Sequence, residues 1–184
     1  MHLTDVQIAS LVERIRIGQQ DAFQEFFYTF QPQVFRFLYR YTRDVAVAED
    51  LTQETFINFW EARERLDPTL AAKHYLFRIA RNLALRCSAR RKHFVPQTFV
   101  SNEILVELSQ NPQEAYERSF AADDIYKNLH FLPERCRAVF ILSRYDDLPY
   151  QEVAKTLQIS IQTVKNQMNK ALAILRRQLV DHCD

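Results

Sequence analysis

The sequence predicts an all-α protein built from two small helical units joined by a linker. Three observations carry this. Apolar residues recur with helical period over most of the chain. Gly18 is the only glycine in 184 residues, which disfavours hairpin-rich folds whose tight turns depend on glycine. Between Phe94 and Pro112 the period disappears and Pro96, Ser101, Asn102, Asn111 and Pro112 accumulate. The expected boundaries are 1–93 for the first unit, 94–112 for the linker and 113–184 for the second.

Taken in order, Thr4-Asp5 followed by Gln7 reads as a capping box that opens a helix running to Ile17. Gly18 breaks it. Asp21 is expected to cap a second helix from Ala22 to about Tyr41, with Pro32 kinking or splitting it. Its many aromatics, including Phe23, Phe26, Phe27, Phe30, Phe35 and Phe37, read as buried core. After Arg43-Asp44, a helix is expected over Val45 to about Arg63. Ala48, Leu51, Thr55, Phe59 and Ala62 form its inner face; Asp50, Gln53, Glu54, Ile57 and Glu61 lie opposite, with Trp60 at the edge. A solvated acidic face is the ordinary reading of that stripe. Ile57 and Trp60 beside it fit docking on a basic protein partner as well.

Glu64 to Ala72 reads as a loop. The next helix, about Lys73 to Lys92, turns Leu76, Ile79, Ala80, Leu83 and Cys87 inward and His74, Arg78, Arg81, Asn82, Leu85 and Lys92 outward. From Arg78 to His93 there are six basic residues and no acid, a pattern suited to tracking phosphates. Beyond the linker, which turns acidic towards Asp124, helices are expected at Gln113–Phe131 and Glu134–Tyr145.

The last stretch, Leu148 to Arg177, is a short helix, a turn and a longer helix. Val153, Ala154 and Leu157 share one face of the first. Ser160 is placed to cap the second, whose apolar face is Val164, Met168, Ala171 and Leu175. The opposite face shows Gln162, Lys165, Asn166, Asn169 and Lys170, with no acid between Ser160 and Arg177. Amides and cations on a helix with an apolar back are what major-groove reading requires. An ordinary amphipathic helix pair would share the apolar pattern but has no need of the cations.

Composition narrows the function. A formal charge of +1 is too balanced for a stand-alone non-specific nucleic-acid binder, so positive charge must be segregated or a partner must help. One glycine excludes a Gly-rich phosphate loop or a dinucleotide fingerprint. Cys87, Cys136 and Cys183 are far apart and lack CxxC spacing, which reads as free thiols in the cytoplasm and no metal site. The five histidines form no ligand motif, and no nucleophile motif is present, so neither enzyme chemistry nor a cofactor is expected. No signal peptide or membrane span is expected either.

AEDLTQETFINFW at Ala48–Trp60, LFRIARNLALR at Leu76–Arg86 and the stretch Leu132–Arg177 together resemble the bacterial extracytoplasmic-function sigma factors of the sigma-70 superfamily. The resemblance covers nearly the whole chain, in the family's order and spacing. It implies domains conventionally called sigma domains 2 and 4, and a factor that binds core RNA polymerase and directs promoter-specific initiation. By resemblance, Asp50, Gln53, Glu54 and Trp60, with Ile57 added from the helix face, meet the polymerase clamp coiled coil, and the second domain meets the flap. Arg78, Arg81, Asn82 and Arg86 would hold the unwound −10 element, and the loop Arg63 to Ala72 an extruded base. Thr163, Lys165, Asn166, Asn169 and Lys170 would enter the −35 major groove. A membrane-associated anti-sigma protein is an expected partner, the chain itself remaining outside the membrane. Three positions depart from the family's pattern: Tyr75 stands near a customary tryptophan, Pro149 replaces a hydroxyl cap, and Gln158 replaces a turn glycine. The rival reading is a stand-alone helix-turn-helix regulator, which would bind its operator without polymerase.

Overall fold

The computed structural model describes residues 4–67, 72–91 and 128–180. Among these residues every regular element is helical. They are α1 (Asp5–Arg16), α2 (Gln20–Thr42), α3 (Val45–Glu61), a 3-10 turn (Arg63–Arg65), α4 (Ala72–Arg91), a second 3-10 turn (Leu129–Phe131), α5 (Glu134–Arg144), α6 (Tyr150–Leu157) and α7 (Ile161–Val180). The linker expected at 94–112 and the helix expected from Gln113 lie outside the described residues as far as position 127.

Local chemistry fixes most boundaries. The Thr4 hydroxyl accepts from the Gln7 amide at 3.3 Å and the Gln7 side chain accepts from the Thr4 amide at 2.8 Å, the expected reciprocal cap. Gly18 takes φ +83°, a conformation glycine reaches without steric cost. Arg43 ends α2 in the left-handed region, and Asp44 at once caps α3 by accepting from the Val47 amide at 3.1 Å.

One expectation for α2 fails, the Asp21 cap, and of the two outcomes expected at Pro32 the split does not occur. The helix begins at Gln20 rather than after an Asp21 cap, because the Asp21 carboxylate is drawn to Arg14 across the turn. Pro32 does not split the helix. Its ring removes one N–H, leaving the carbonyl four residues earlier without its usual donor. That carbonyl belongs to Tyr28, which is 67% exposed, so water can supply the bond.

The first unit wraps α2 with α1, α3 and α4. Phe26 stacks on Phe59 at 4.7 Å, Phe37 meets Phe77 edge-on at 5.6 Å, and Leu38, Leu76 and Ala80 close the centre. Fully burying each such large side chain contributes roughly 1.5–3 kcal/mol. Thr52 and Thr55, buried on the inner face of α3, return their hydroxyls to the Ala48 and Leu51 carbonyls at 2.6 Å, so no polar atom there is left unpaired. The second unit packs α5 against α7, with Val139, Ile141, Leu142, Val153, Leu157, Val164, Met168 and Leu175 buried.

The two units pack on one another: α6 lies on α4, and α5 lies on α2. Arg137 of α5 donates to the Leu129, His130 and Leu132 carbonyls at 3.0, 3.0 and 3.1 Å, and to the Tyr41 carbonyl at 3.2 Å. Tyr41 stands in the last turn of α2, where carbonyls lack helical partners and the helix dipole is negative, so a guanidinium is well suited there. Its charge also lies 5.3 Å from the Tyr41 ring centroid. Farther along the seam, Arg40 meets Asp146 at 3.7 Å and lies over the Tyr145 ring at 4.5 Å. His74 of α4 donates from Nε2 to the Glu152 carboxylate at 2.6 Å, and its Nδ1 is 2.8 Å from the Thr156 hydroxyl. His74 was expected to point outward; α6 covers it instead.

Burial raises the Asp146 pKa to about 6, more than Arg40 and Arg36 lower it, and Oδ2 has no hydrogen-bond partner. An acid whose folded-state pKa lies above its unfolded value stabilises most when protonated, and that stability is lost as pH rises through about 6. Burial lowers the His74 pKa against the pull of Glu152, so His74 acts in the opposite sense. Comparing wild type with Asp146→Asn cancels the His74 contribution. In denaturant titrations the wild type is expected to lose stability relative to Asp146→Asn between about pH 4 and about pH 7, by up to about 3 kcal/mol. A difference that does not change with pH would refute the assignment.

Candidate nucleic-acid and partner-docking surfaces

Three surfaces of the molecule gather the side chains singled out in the sequence. The first is the outer face of α3. Asp50, Gln53, Glu54 and Ile57 are all exposed, Ile57 at 57%. Trp60 is only half-buried, and its ring is fixed from both sides. Phe23 lies 4.8 Å from it and the Arg63 guanidinium 4.8 Å over it, while Arg63 also donates to the Trp60 carbonyl at 3.1 Å. The face therefore offers a preset aromatic and an aliphatic side chain among carboxylates. Tyr28, on neighbouring α2, is also exposed; it touches Phe27, which packs on Phe56 of α3. The aromatic density of α2 suggested uniform burial, but the spacing distinguishes Tyr28. Ala22, Phe26 and Phe30 form the buried i, i+4 row, whereas Gln24 and Tyr28 form an exposed one.

The second surface is α4. Asn82 and Arg86 face solvent. Arg78 is partly covered, with its guanidinium 4.7 Å over the Tyr75 ring, so Tyr75 serves as a platform for a cation. Arg81 donates to the Asn82 side-chain carbonyl at 3.3 Å and lines a cavity of about 290 Å³ with Arg135, Leu157, Ile159, Thr163 and Gln167. Its Nε is buried without a hydrogen-bond partner. The periodicity put Arg81 outside; it is partly buried, and the second unit supplies the other walls of its cavity. The loop expected from Arg63 to Ala72 holds the short 3-10 turn at Arg63–Arg65, and positions 68–71 lie outside the described residues.

The third surface is the outer face of α7. Gln158 makes the turn before it in the left-handed region, φ 54° and ψ 46°, where the sequence lacked the customary glycine. Ser160 then caps α7, accepting from the Thr163 amide at 3.0 Å. Val164, Met168, Ala171 and Leu175 are buried, which leaves Lys165, Asn166, Asn169 and Lys170 exposed on the far side. Gln162 donates to the Asn166 side-chain carbonyl at 3.0 Å and so orients its amide. Thr163 is the exception in this set: it is half-buried and lines the same cavity as Arg81.

Among the described residues no cluster of three or more His, Cys, Asp or Glu is placed to hold a metal ion. Within the same residues no helix is long and apolar enough to cross a membrane.

Residues 26–94 match the family model for sigma-70 region 2, and residues 125–175 match that for sigma-70 region 4. The chain is 26% identical to the ECF RNA polymerase sigma factor SigW of Bacillus subtilis, over 96% of this chain and 99% of that protein. It is 30% identical to the RNA polymerase sigma factor CarQ of Myxococcus xanthus, over 81% of this chain and 84% of that one. Its fold is similar to that of CnrH, solved in complex with the cytosolic domain of CnrY, at a TM-score of 0.72 and 20% identity over 96% of this chain and 99% of that one. The sigma factor RpoE of Bartonella quintana, solved with the anti-sigma factor NepR, is similar at a TM-score of 0.67 and 21% identity, over 85% of this chain and 96% of that one.

The Ser160 cap is the local feature on which the start of α7 rests. Ser160→Ala is expected to cost about 1 kcal/mol in chemical denaturation, with Ser160→Asp close to wild type. Equal losses in both would mean that the hydroxyl contributes through something other than capping.

Proposed function

The chain belongs to the extracytoplasmic-function branch of the sigma-70 family, and from that membership we propose how its surfaces divide the work. As a sigma factor it binds core RNA polymerase and directs promoter-specific initiation. In our reading residues 1–93 act as sigma domain 2, residues 94–112 as the linker and residues 113–184 as sigma domain 4. The matches at 26–94 and 125–175 support this division without fixing its edges.

The outer face of α3 docks on the polymerase clamp coiled coil. Glu54, Asp50 and Gln53 meet its cations, and Ile57 and Trp60 supply apolar contact. Arg78, Arg81, Asn82 and Arg86 hold the unwound −10 strand, where stacking and phosphate contact offset a few kcal/mol of unstacking per flipped base. Thr163, Lys165, Asn166, Asn169 and Lys170 read the −35 major groove, and the second unit meets the flap. The observation that carries this reading is the segregation of charge. An acidic exposed face on α3 and a cationic exposed face on α7, with Arg86 exposed and Arg78 and Arg81 partly covered on α4, coexist in a chain of net charge +1. Each DNA-facing set has few phosphate neutralisers, so binding by the free chain is weak and falls steeply with salt. Tethering both units to polymerase adds the two contacts through effective concentration.

The chain works in the cytoplasm, with no chemistry of its own. An anti-sigma protein associated with the membrane restrains it. CnrH and the Bartonella RpoE, each solved with its own partner, support that last element by analogy. A stand-alone regulator would leave the acidic face of α3 without a role.

The test is a binding titration against sigma-free bacterial core polymerase. Wild type is expected to saturate, and Glu54→Lys to bind more weakly whatever promoter is later added. Asn166→Ala and Lys165→Ala are expected to keep core binding but change promoter choice, each good base contact being worth about 1–3 kcal/mol. Failure of wild type to bind core polymerase, together with specific operator binding by the chain alone, would establish the rival reading.

A further inference from the structure

The first two turns of α7 hold a side-chain contact that the set proposed for the −35 groove does not use. Gln162 and Asn166 are both exposed and lie four residues apart, so they are neighbours along the outer face. Gln162 Nε2 donates to Asn166 Oδ1 at 3.0 Å. Thr163, which the set does include, is engaged elsewhere. It is half-buried, its hydroxyl lies 2.8 Å from the Ser160 hydroxyl, and its amide donates to the same cap. The outward row that starts α7 is therefore Gln162 and Asn166, with Lys165, Asn169 and Lys170 exposed beside it. No acid lies between Ser160 and Arg177 to compete for their donors.

A primary amide carries one acceptor oxygen and an NH2 group with two donors. An asparagine free to turn offers both edges together, which is how it pairs with N6 and N7 of adenine. Asn166 is not free in that way. Its oxygen is directed towards Gln162, so Nδ2, on the other side of the amide, is directed away and meets no acceptor among the described residues. Gln162 has engaged its NH2 group and keeps Oε1 as an acceptor. The major-groove edges sort against these groups. Guanine offers the acceptors O6 and N7, and thymine offers O4. Adenine sets a donor beside its one acceptor, and cytosine offers a donor alone.

We propose that Gln162 is a positioning residue for promoter choice: by holding the Asn166 oxygen, it makes Asn166 a donor that selects a keto base, guanine or thymine, over the amino bases at the base pair it meets. The inference rests on the assignment of α7 to the −35 groove. Adenine loses its customary match with asparagine, because the oxygen that its N6 requires is turned to Gln162. The two amides form one chain of dipoles whose polarity is set by its first donor. Holding the amide also leaves Asn166 fewer rotamers to lose when it meets a base. The polarity is reversible by chemistry alone. A carboxylate in place of the Gln162 amide can only accept, so the Asn166 NH2 group would turn to it and the oxygen would face the groove.

The test uses holoenzyme reconstituted from core polymerase and the full chain, with a library of promoters randomised through the −35 element and the retained sequences counted. Asn166→Ala marks the base pair at issue, as the one at which preference disappears. There the wild type is expected to favour one orientation of the pair about tenfold over its reverse. Gln162→Glu is expected to invert that ratio, an amino base replacing the keto base on the same strand. Gln162→Ala, which frees the amide to turn, is expected to admit adenine beside the keto bases. The double variant Gln162→Glu with Asn166→Ala is expected to show no preference at that pair. The added carboxylate weakens binding to every sequence through the phosphates, so the ratio between orientations is the readout rather than affinity. A loss of helix stability would lower all sequences alike and could not invert the ratio. An unchanged ratio in Gln162→Glu would overturn the proposal, as would a Gln162→Ala variant that loses affinity with the same base ratios as wild type. Should Asn166→Ala leave every base preference in place, the groove assignment itself would fall and the proposal with it. Failure of the wild type to bind core polymerase would remove the sigma reading, and the proposal with it, before any library is used.

Discussion

A single guanidinium organises the junction on which this arrangement depends. Arg137 donates to four backbone carbonyls, two in the 3-10 turn that precedes α5, one at Leu132 just after it and one at the end of α2. All four lie at a turn or a helix terminus; the Leu129 carbonyl also accepts from the Leu132 amide at 3.1 Å. Burial lowers the Arg137 pKa from its ordinary value, and arginine still keeps its charge in proteins. The fork geometry lets one side chain both fold its own turn and cap a helix of the other unit. A lysine could cap one end, but its compact ammonium cannot span four fixed acceptors in this way.

Around that junction the molecule keeps its polar groups unequally satisfied. Within the units, Thr52 and Thr55 return their hydroxyls to their own helix, and the Ser160 and Asp44 caps supply the first turns of α7 and α3. Between the units, Arg40 and Asp146 are left with unbonded polar atoms. The contrast is energetic: satisfied groups rigidify a structure, and buried polar atoms without partners weaken the place where they lie.

Much of the fold was legible from local chemistry. The capping box at Thr4, the turn at Gly18, the inner rows of α3 and α7 and the exposed cationic face of α7 all follow from spacing along one helix. The misreadings have two causes, a local competitor at α2 and a partner distant in sequence at α4. Asp21 was read as a cap and is claimed by Arg14. Pro32 was read as a kink or a break; the helix runs on unbroken, and solvent at Tyr28 makes the lost bond tolerable. His74 and Arg81 were read as outward, and within their own helix they are; the second unit covers them. Periodicity distinguishes faces of a helix, and it carries no information about which outer face a later part of the chain will cover. Tyr28 is different, since its row was readable and the density of aromatics around it obscured the signal.

The carbonyl of Tyr41 and the guanidinium that meets it are 96 positions apart in the chain. At ribosomal elongation of about 5–20 residues per second, some 5–20 s pass between the emergence of one and the other. For that interval the end of α2 and the outer side of α4 have nothing to cover them, although the aromatic centre of the first unit is already complete in sequence. Synthesis thus delivers α4 uncovered before the segment that packs on its outer side exists, while the outer face of α3 is exposed both before and after.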